Sequence, residues 1–151
     1  MKIQYKNNLK EVTVCDLTFV YDEKHLHREW GITSGATNIN IYNKYGHRIG
    51  SLKCSMTPIK EHGIRRARNS RRYLYAFDMN IDKSYNKSSY LAEIALVLRL
   101  ECNTVQYSMS VKEDETEWLK VPHTKLTKHG CKNTYIFINN ITENEILKLK
   151  K

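Results

Sequence analysis

Between Tyr73 and Val111 the hydrophobic period changes twice, and this restricts the fold more than any other feature of the chain. "YLYAFDMNI" (Tyr73 to Ile81) alternates in and out with the period of a strand. "LAEIALVLRLEC" (Leu91 to Cys102) is apolar almost all round, interrupted only by Glu93, Arg99 and Glu101. A helix that apolar belongs buried against a sheet. "NTVQYSMSV" (Asn103 to Val111) returns to the strand period. Strand, buried helix and strand in that order predict a crossover, which places the two strands parallel in one sheet.

The flanking segments predict mainly antiparallel neighbours. "VTVCDLTFVY" (Val12 to Tyr21) is rich in β-branched and aromatic residues and reads as a strand. "DEKHLHREWGITSG" (Asp22 to Gly35) is polar and reads as one short helix or a lid-like loop. "TNINIYN" and "RIGSLKCSM" form a hairpin around "KYGH", where Gly46 supplies the positive φ of the turn. "DETEWLKVPHTKLTKHG" reads as a polar helical or irregular passage, and "NTYIFIN" (Asn133 to Asn139) as a last strand. The tail "ITENEILKLKK" opens with Thr142-x-x-Glu145, the pattern of a capping box. The fold class is therefore α+β: a mixed, mostly antiparallel sheet with one strand–helix–strand crossover.

The 151 residues suit a single domain spanning 1–151, and 40% apolar with 27% charged residues is the balance of a soluble globular protein. No run approaches the roughly 20 apolar residues of a membrane span. The start "MKIQYKNNLKEV" lacks the apolar core of a secretion signal, so a cytoplasmic location is expected. Abundant Asn, Lys, Ile and Tyr with two Pro suggest an AT-rich genome, as in many small bacteria and phages.

Cys15, Cys54, Cys102 and Cys131 are widely spaced and read as small hydrophobes rather than metal or redox pairs. The six histidines show no HExxH spacing. His25 and His27 would share one face of a strand, but two imidazoles alone make no metal centre, and no metal is expected.

The stretch "MNIDKSYNKSSYLAEIAL" resembles the cofactor loop of the GNAT superfamily of N-acetyltransferases, in which a strand ends in L-x-V-x-P-x-Y and Arg/Gln-x-x-Gly-x-Gly/Ala opens a helix. Met79 and Ile81 fall on the strand's apolar positions, Tyr85 on the tyrosine and Asn86 on the Arg/Gln. Ser89 and Leu91 fall on the two small-residue positions. "LTKHGCKNTYIFI" resembles the family's late Y-x-K-x-G-F turn, with Leu126 where the tyrosine would stand, then Gly130 and Cys131. The resemblance spans roughly Thr37 to Asn139 and implies a GNAT-like fold.

It also implies acetyl-CoA as cofactor, held by Met79, Ile81, Asn86, Lys87, Ser88, Ser89, Tyr90 and Leu91. In such a loop, amides at a helix start face the pyrophosphate, and glycines let the backbone come close. This loop has no glycine, and Leu91 would crowd a small-residue position. Leu126 cannot donate a proton as the family's tyrosine does, and no spacing singles out Glu113 or His123 as a base. The catalytic residues are thus unassigned, and the cofactor site reads as degenerate.

"KEHGIRRARNSRRY" carries Lys60, Arg65, Arg66, Arg68, Arg71 and Arg72 against Glu61. Six cations less one anion give +5 of the chain's net +9. Arginine forks suit phosphate oxygens, so an RNA, DNA or acidic-protein partner is one reading, with Tyr73 and Tyr75 as stacking faces. A solvated connecting loop is the other. Three functions follow: a GNAT-like binding or regulatory protein with a degenerate acetyl-CoA site, an active N-acetyltransferase, or an unrelated nucleic-acid-binding domain.

Overall fold

The structure is a computed structural model and describes residues 1–27, 36–58, 72–110, 113–129 and 133–150. Nine strands form one sheet: β1 (Lys2–Lys6), β2 (Leu9–Val14), β3 (Leu17–Tyr21), β4 (Thr37–Tyr42), β5 (Arg48–Pro58), β6 (Arg72–Ile81), β7 (Val105–Ser108), β8 (Thr124–His129) and β9 (Asn133–Ile138). Their spatial order is β1-β2-β3-β4-β5-β6-β7-β9-β8. The helices are α1 (Glu23–Leu26), α2 (Leu91–Glu101, led in by a 3-10 turn Lys87–Tyr90), α3 (Glu115–Leu119) and α4 (Glu143–Leu149). Every described strand pairing is antiparallel except β6 with β7, the two strands joined through α2. This is the α+β arrangement expected from the sequence: a mixed, mostly antiparallel sheet with one strand–helix–strand crossover.

Several boundaries differ from expectation for local reasons. Val12 to Tyr21 is two strands, because Cys15 adopts φ +54° and turns the chain with Asp16. The polar start forms β1, paired to β2 through Asn7 and Asn8 at φ +53° and +65°, the pair of left-handed residues that a two-residue hairpin turn requires. The passage before β9 yields α3 and then β8, so Leu126 lies within a strand opposite Ile136 and packs against the core. It does not stand at a turn, while Gly130 and Cys131 lie outside the described residues. His25 and His27 sit on α1 and its cap rather than on a strand.

The hairpin and the tail fold as expected. Gly46 turns the β4–β5 loop at φ +82°, and the Asn43 Oδ1 atom accepts from the Tyr45 and His47 amides. Thr142 and Glu145 close their capping box at the start of α4.

The four described helices lie on one face of the sheet. Eight consecutive residues of α2, Leu91 to Leu98, are buried. They face the inward set of Val12, Phe19, Ile39, Leu52, Leu74, Val105 and Ile136. Three contacts fix the other helices on this side. The α3 residue Trp118 stacks at 5.2 Å on inward-facing Tyr107. The α1 residue His25 bonds buried Thr37, and α4 packs on α2 through buried Ile146. No described helix covers the opposite face. None of the described helices is long and apolar enough to cross a membrane.

Candidate functional site

The site follows from where β6 and β7 part. They pair over Leu74–Val105, Tyr75–Gln106 and Ala76–Tyr107. Beyond that row β6 keeps to β5, while β7 continues along β9 through Ser108–Tyr135. A bulge helps β6 turn away: the β5–β6 register shifts between Ser51 and Lys53, and Asp78 adopts φ +51°. At the end of this bulged stretch Gly50 lies against β6, where a Cβ would meet the Asn80 carbonyl oxygen at 2.3 Å. Only glycine fits there.

A polar cluster occupies the divergence. The Tyr107 hydroxyl donates to Glu113 Oε1 at 2.5 Å and takes a hydrogen bond from the Met79 backbone amide. Lys87 donates to the same Glu113 oxygen, and the Ser110 amide donates to Oε2 at 3.0 Å. Glu113 is 7% exposed and thus ties the loop before α2 to the segment after β7. Burial, and next the Glu113 bond, push the Tyr107 phenol far above its ordinary value. A carboxylate holding three donors has most of its acceptor positions taken. Glu113, one of the two base candidates, is therefore engaged in holding this junction. His123, the other, lies at φ +61° before β8 and pairs with Glu145 at 2.5 Å.

Two of the residues expected to hold a cofactor, Met79 and Lys87, take part in this junction. Met79 and Leu91 are buried, Ile81 and Tyr90 half-buried, Asn86 and Ser89 exposed. Ser88 sits on the 3-10 turn. Tyr90 occupies the N-cap of α2 and makes no side-chain capping bond, while the Ser89 amide is already given to the Asn86 carbonyl. Lys87, expected among the cofactor residues, is paired with Glu113.

Of the basic segment, Lys60, Arg65, Arg66, Arg68 and Arg71 lie outside the described residues; Arg72 begins β6 opposite Pro58. The strand it begins presents Tyr73, Tyr75 and Phe77 outward, alternating with buried Leu74 and Ala76. Tyr75 and Phe77 approach to 5.3 Å between ring centroids. In register with Tyr75 come Gln106 on β7 and then Phe137 on β9, with Tyr135 two residues before Phe137. All are half-buried on the face that no described helix covers. Sequence reasoning singled out Tyr73 and Tyr75 but not Phe77, Tyr135 and Phe137, whose alternation in β6 and β9 was the available signal.

A second polar cluster lies across the opposite end of α2. Glu101, with a side chain 3% exposed, takes Lys10 Nζ at 2.6 Å and Tyr21 on Oε2, and His27 Nε2 at 2.8 Å on Oε1. Glu23 holds the same Lys10 at 2.5 Å. Glu23, His27 and Glu101 lie close enough together to suggest metal ligands. The Lys10 ammonium already stands between the two carboxylates, so the group is complete as an ion network. Cys54 is buried, which lifts its thiol to about 12 and leaves it inert; Cys15 and Cys102 are half-buried.

No protein-family model and no curated protein matches the sequence. Among solved structures the chain is similar to NAA60 of Arabidopsis thaliana in complex with a bisubstrate analogue, at TM-score 0.48 and 14% identity, over 71% of this chain and 77% of that one. It is similar to a bacterial toxin at TM-score 0.46 and 8% identity, over 76% and 72% of the two chains. It is also similar to FdhC, described as a nucleotide-linked sugar GNAT, at TM-score 0.48 and 9% identity, over 76% and 61%. These are likenesses in the course of the chain alone.

Proposed function

We propose that this protein is a non-catalytic binding domain on a GNAT-like fold, closed to acetyl-CoA by its own side chains, which takes single-stranded nucleic acid on the face of its sheet that no described helix covers. The Lys87–Glu113–Tyr107 cluster at the parting of β6 and β7 carries the first half of this reading. A cofactor lying there would have to break an ion pair with a buried carboxylate and strip the Tyr107 hydroxyl of its acceptor. Either loss costs more than a surface contact returns. The glycine-free loop and the buried Leu91 side chain act in the same direction.

Support for the second half comes from Tyr73, Tyr75, Phe77, Tyr135 and Phe137 on one half-buried face, entered directly from a segment of net charge +5. Base stacking on aromatic side chains contributes about 1–3 kcal/mol per base and tolerates any sequence, while arginines supply a salt-dependent phosphate term. The expected result is salt-sensitive binding of a fluorescent single-stranded oligonucleotide, measured by anisotropy. Tyr75→Ala and Phe137→Ala should each weaken it by about 1–3 kcal/mol. Changing Arg65, Arg66 and Arg68 together to Ala should flatten the salt dependence by about 2 in log–log slope. Binding that ignores all five substitutions would remove this face and this segment from the account.

Active acetyl transfer is the second reading, and the divergence of β6 from β7 at the Asp78 bulge favours it, since a gap of that kind could admit an extended cofactor.

A further inference from the structure

A cavity of about 440 Å³ lies between the start of α2, the end of α3 and the end of α4. Ala92, Ile146 and Leu149 give it apolar walls, and Glu117 and Lys120 offset one another among its lining residues. Also in its lining, on α2, is Glu93, which is 1% exposed. Neither Glu93 oxygen has a hydrogen-bond partner among the described residues. The nearest opposite charge is the ammonium of Lys150, at 3.3 Å from Oε2. That ammonium also donates a hydrogen bond to the Ser89 carbonyl, likewise at 3.3 Å, so the carboxylate shares it. Burial raises the Glu93 carboxyl above its usual range, with Lys150 opposing and Asp16 adding to the rise.

A carboxylate withdrawn from water without donors is among the costliest groups a fold can carry. Here Glu93 is among the residues lining a cavity, with Lys150 over its carboxylate at 3.3 Å, so a ligand that displaces Lys150 can supply what the chain does not. The complement of such a site has N–H donors and positive charge at one end and a short apolar body behind. Lys150 is of the same chemical kind, and its side chain is 39% exposed, so it can be displaced into water.

We infer that this cavity is a binding site for a primary alkylammonium group, with Glu93 as its anionic floor and the Lys150 side chain as a tethered occupant that the ligand displaces. The site is separate from the nucleic-acid face and does not depend on it. Occupation by Lys150 lowers apparent affinity by the fraction of time the site is blocked. Removing that ammonium while keeping its stem, in Lys150→Met, should therefore tighten binding about tenfold.

The probe is n-pentylammonium chloride, with Tm and isothermal titration read at fixed pH and matched chloride. Pentylammonium should raise Tm in proportion to the logarithm of its concentration. The rise should be larger in Lys150→Met and absent in Glu93→Gln, and 1-pentanol of the same shape should not reproduce it. Equal shifts with pentanol and pentylammonium would show an apolar pocket without an ammonium site. An undiminished shift in Glu93→Gln, or none in Lys150→Met, would overturn the assignment.

Discussion

Replacing Glu101 by alanine is expected to lower the unfolding free energy by about 3 kcal/mol, seen as a fall in the urea midpoint at unchanged slope. The carboxylate gathers Lys10, Tyr21 and His27 at the end of α2, and the Lys10 and Glu101 side chains are 9% and 3% exposed. Removing it strands a buried hydroxyl and leaves Lys10 with Glu23 alone. That remaining partner keeps the cost at the low end for a broken buried pair.

The effect has a definite pH dependence. Burial alone would raise the Glu101 carboxyl, but the bonds from Lys10, Tyr21 and His27 outweigh it and hold the group below its usual range. A carboxyl depressed on folding contributes stability above its unfolded value of about 4.3, lost as pH falls through the folded value. The gap between wild type and Glu101→Ala should therefore be full at pH 7 and narrow below about pH 4. A gap that stays constant into acid would mean that packing, not the ion network, sets the loss.

Trp118→Ala should cost about 3–5 kcal/mol, as for other large buried rings. Five residues cannot hold a helix by themselves, and Trp118 is the one buried residue of α3. Its ring lies on Tyr107, so the same substitution unroofs the Lys87–Glu113–Tyr107 cluster. Trp118→Phe should stay within about 1 kcal/mol of wild type. It keeps most of the buried ring and removes an indole N–H that has no acceptor among the described residues. Urea denaturation of both variants checks the pair of values. A loss under about 1 kcal/mol for the alanine would show that α3 is held by something other than its ring.

Elements with a clean hydrophobic period were legible in the sequence. Alternation marked β4, β6 and β9, and an almost unbroken apolar run marked α2, because each side chain's burial follows from its neighbours along the chain. β1 was not legible: its five residues are all exposed, and Ile3 and Tyr5 alone mark the alternation in a short polar run. β8 was hidden in the same way, with Leu126 as its one large apolar residue. The β2–β3 turn rests on a left-handed Cys15, a residue type that gives no turn signal.

Legibility of the site failed for a different reason. Lys87 looked like an anion ligand because local sequence shows a cation before a helix. Its partner Glu113 lies 26 residues away, brought there by the crossover itself. Glu93 looked like a polar break in an apolar helix, and only packing of α3 and α4 around α2 makes it a buried charge beside a cavity. Pairings across distant segments leave no mark on local period.

Thermal unfolding of the wild-type protein in rising acetyl-CoA tests the closed junction most directly. Any ligand of the folded state raises Tm with the logarithm of its concentration. The account predicts an unchanged Tm from micromolar to millimolar acetyl-CoA, with Lys87 still paired to Glu113. A Tm that climbs steadily over that range would contradict it and turn the balance to an active acetyltransferase.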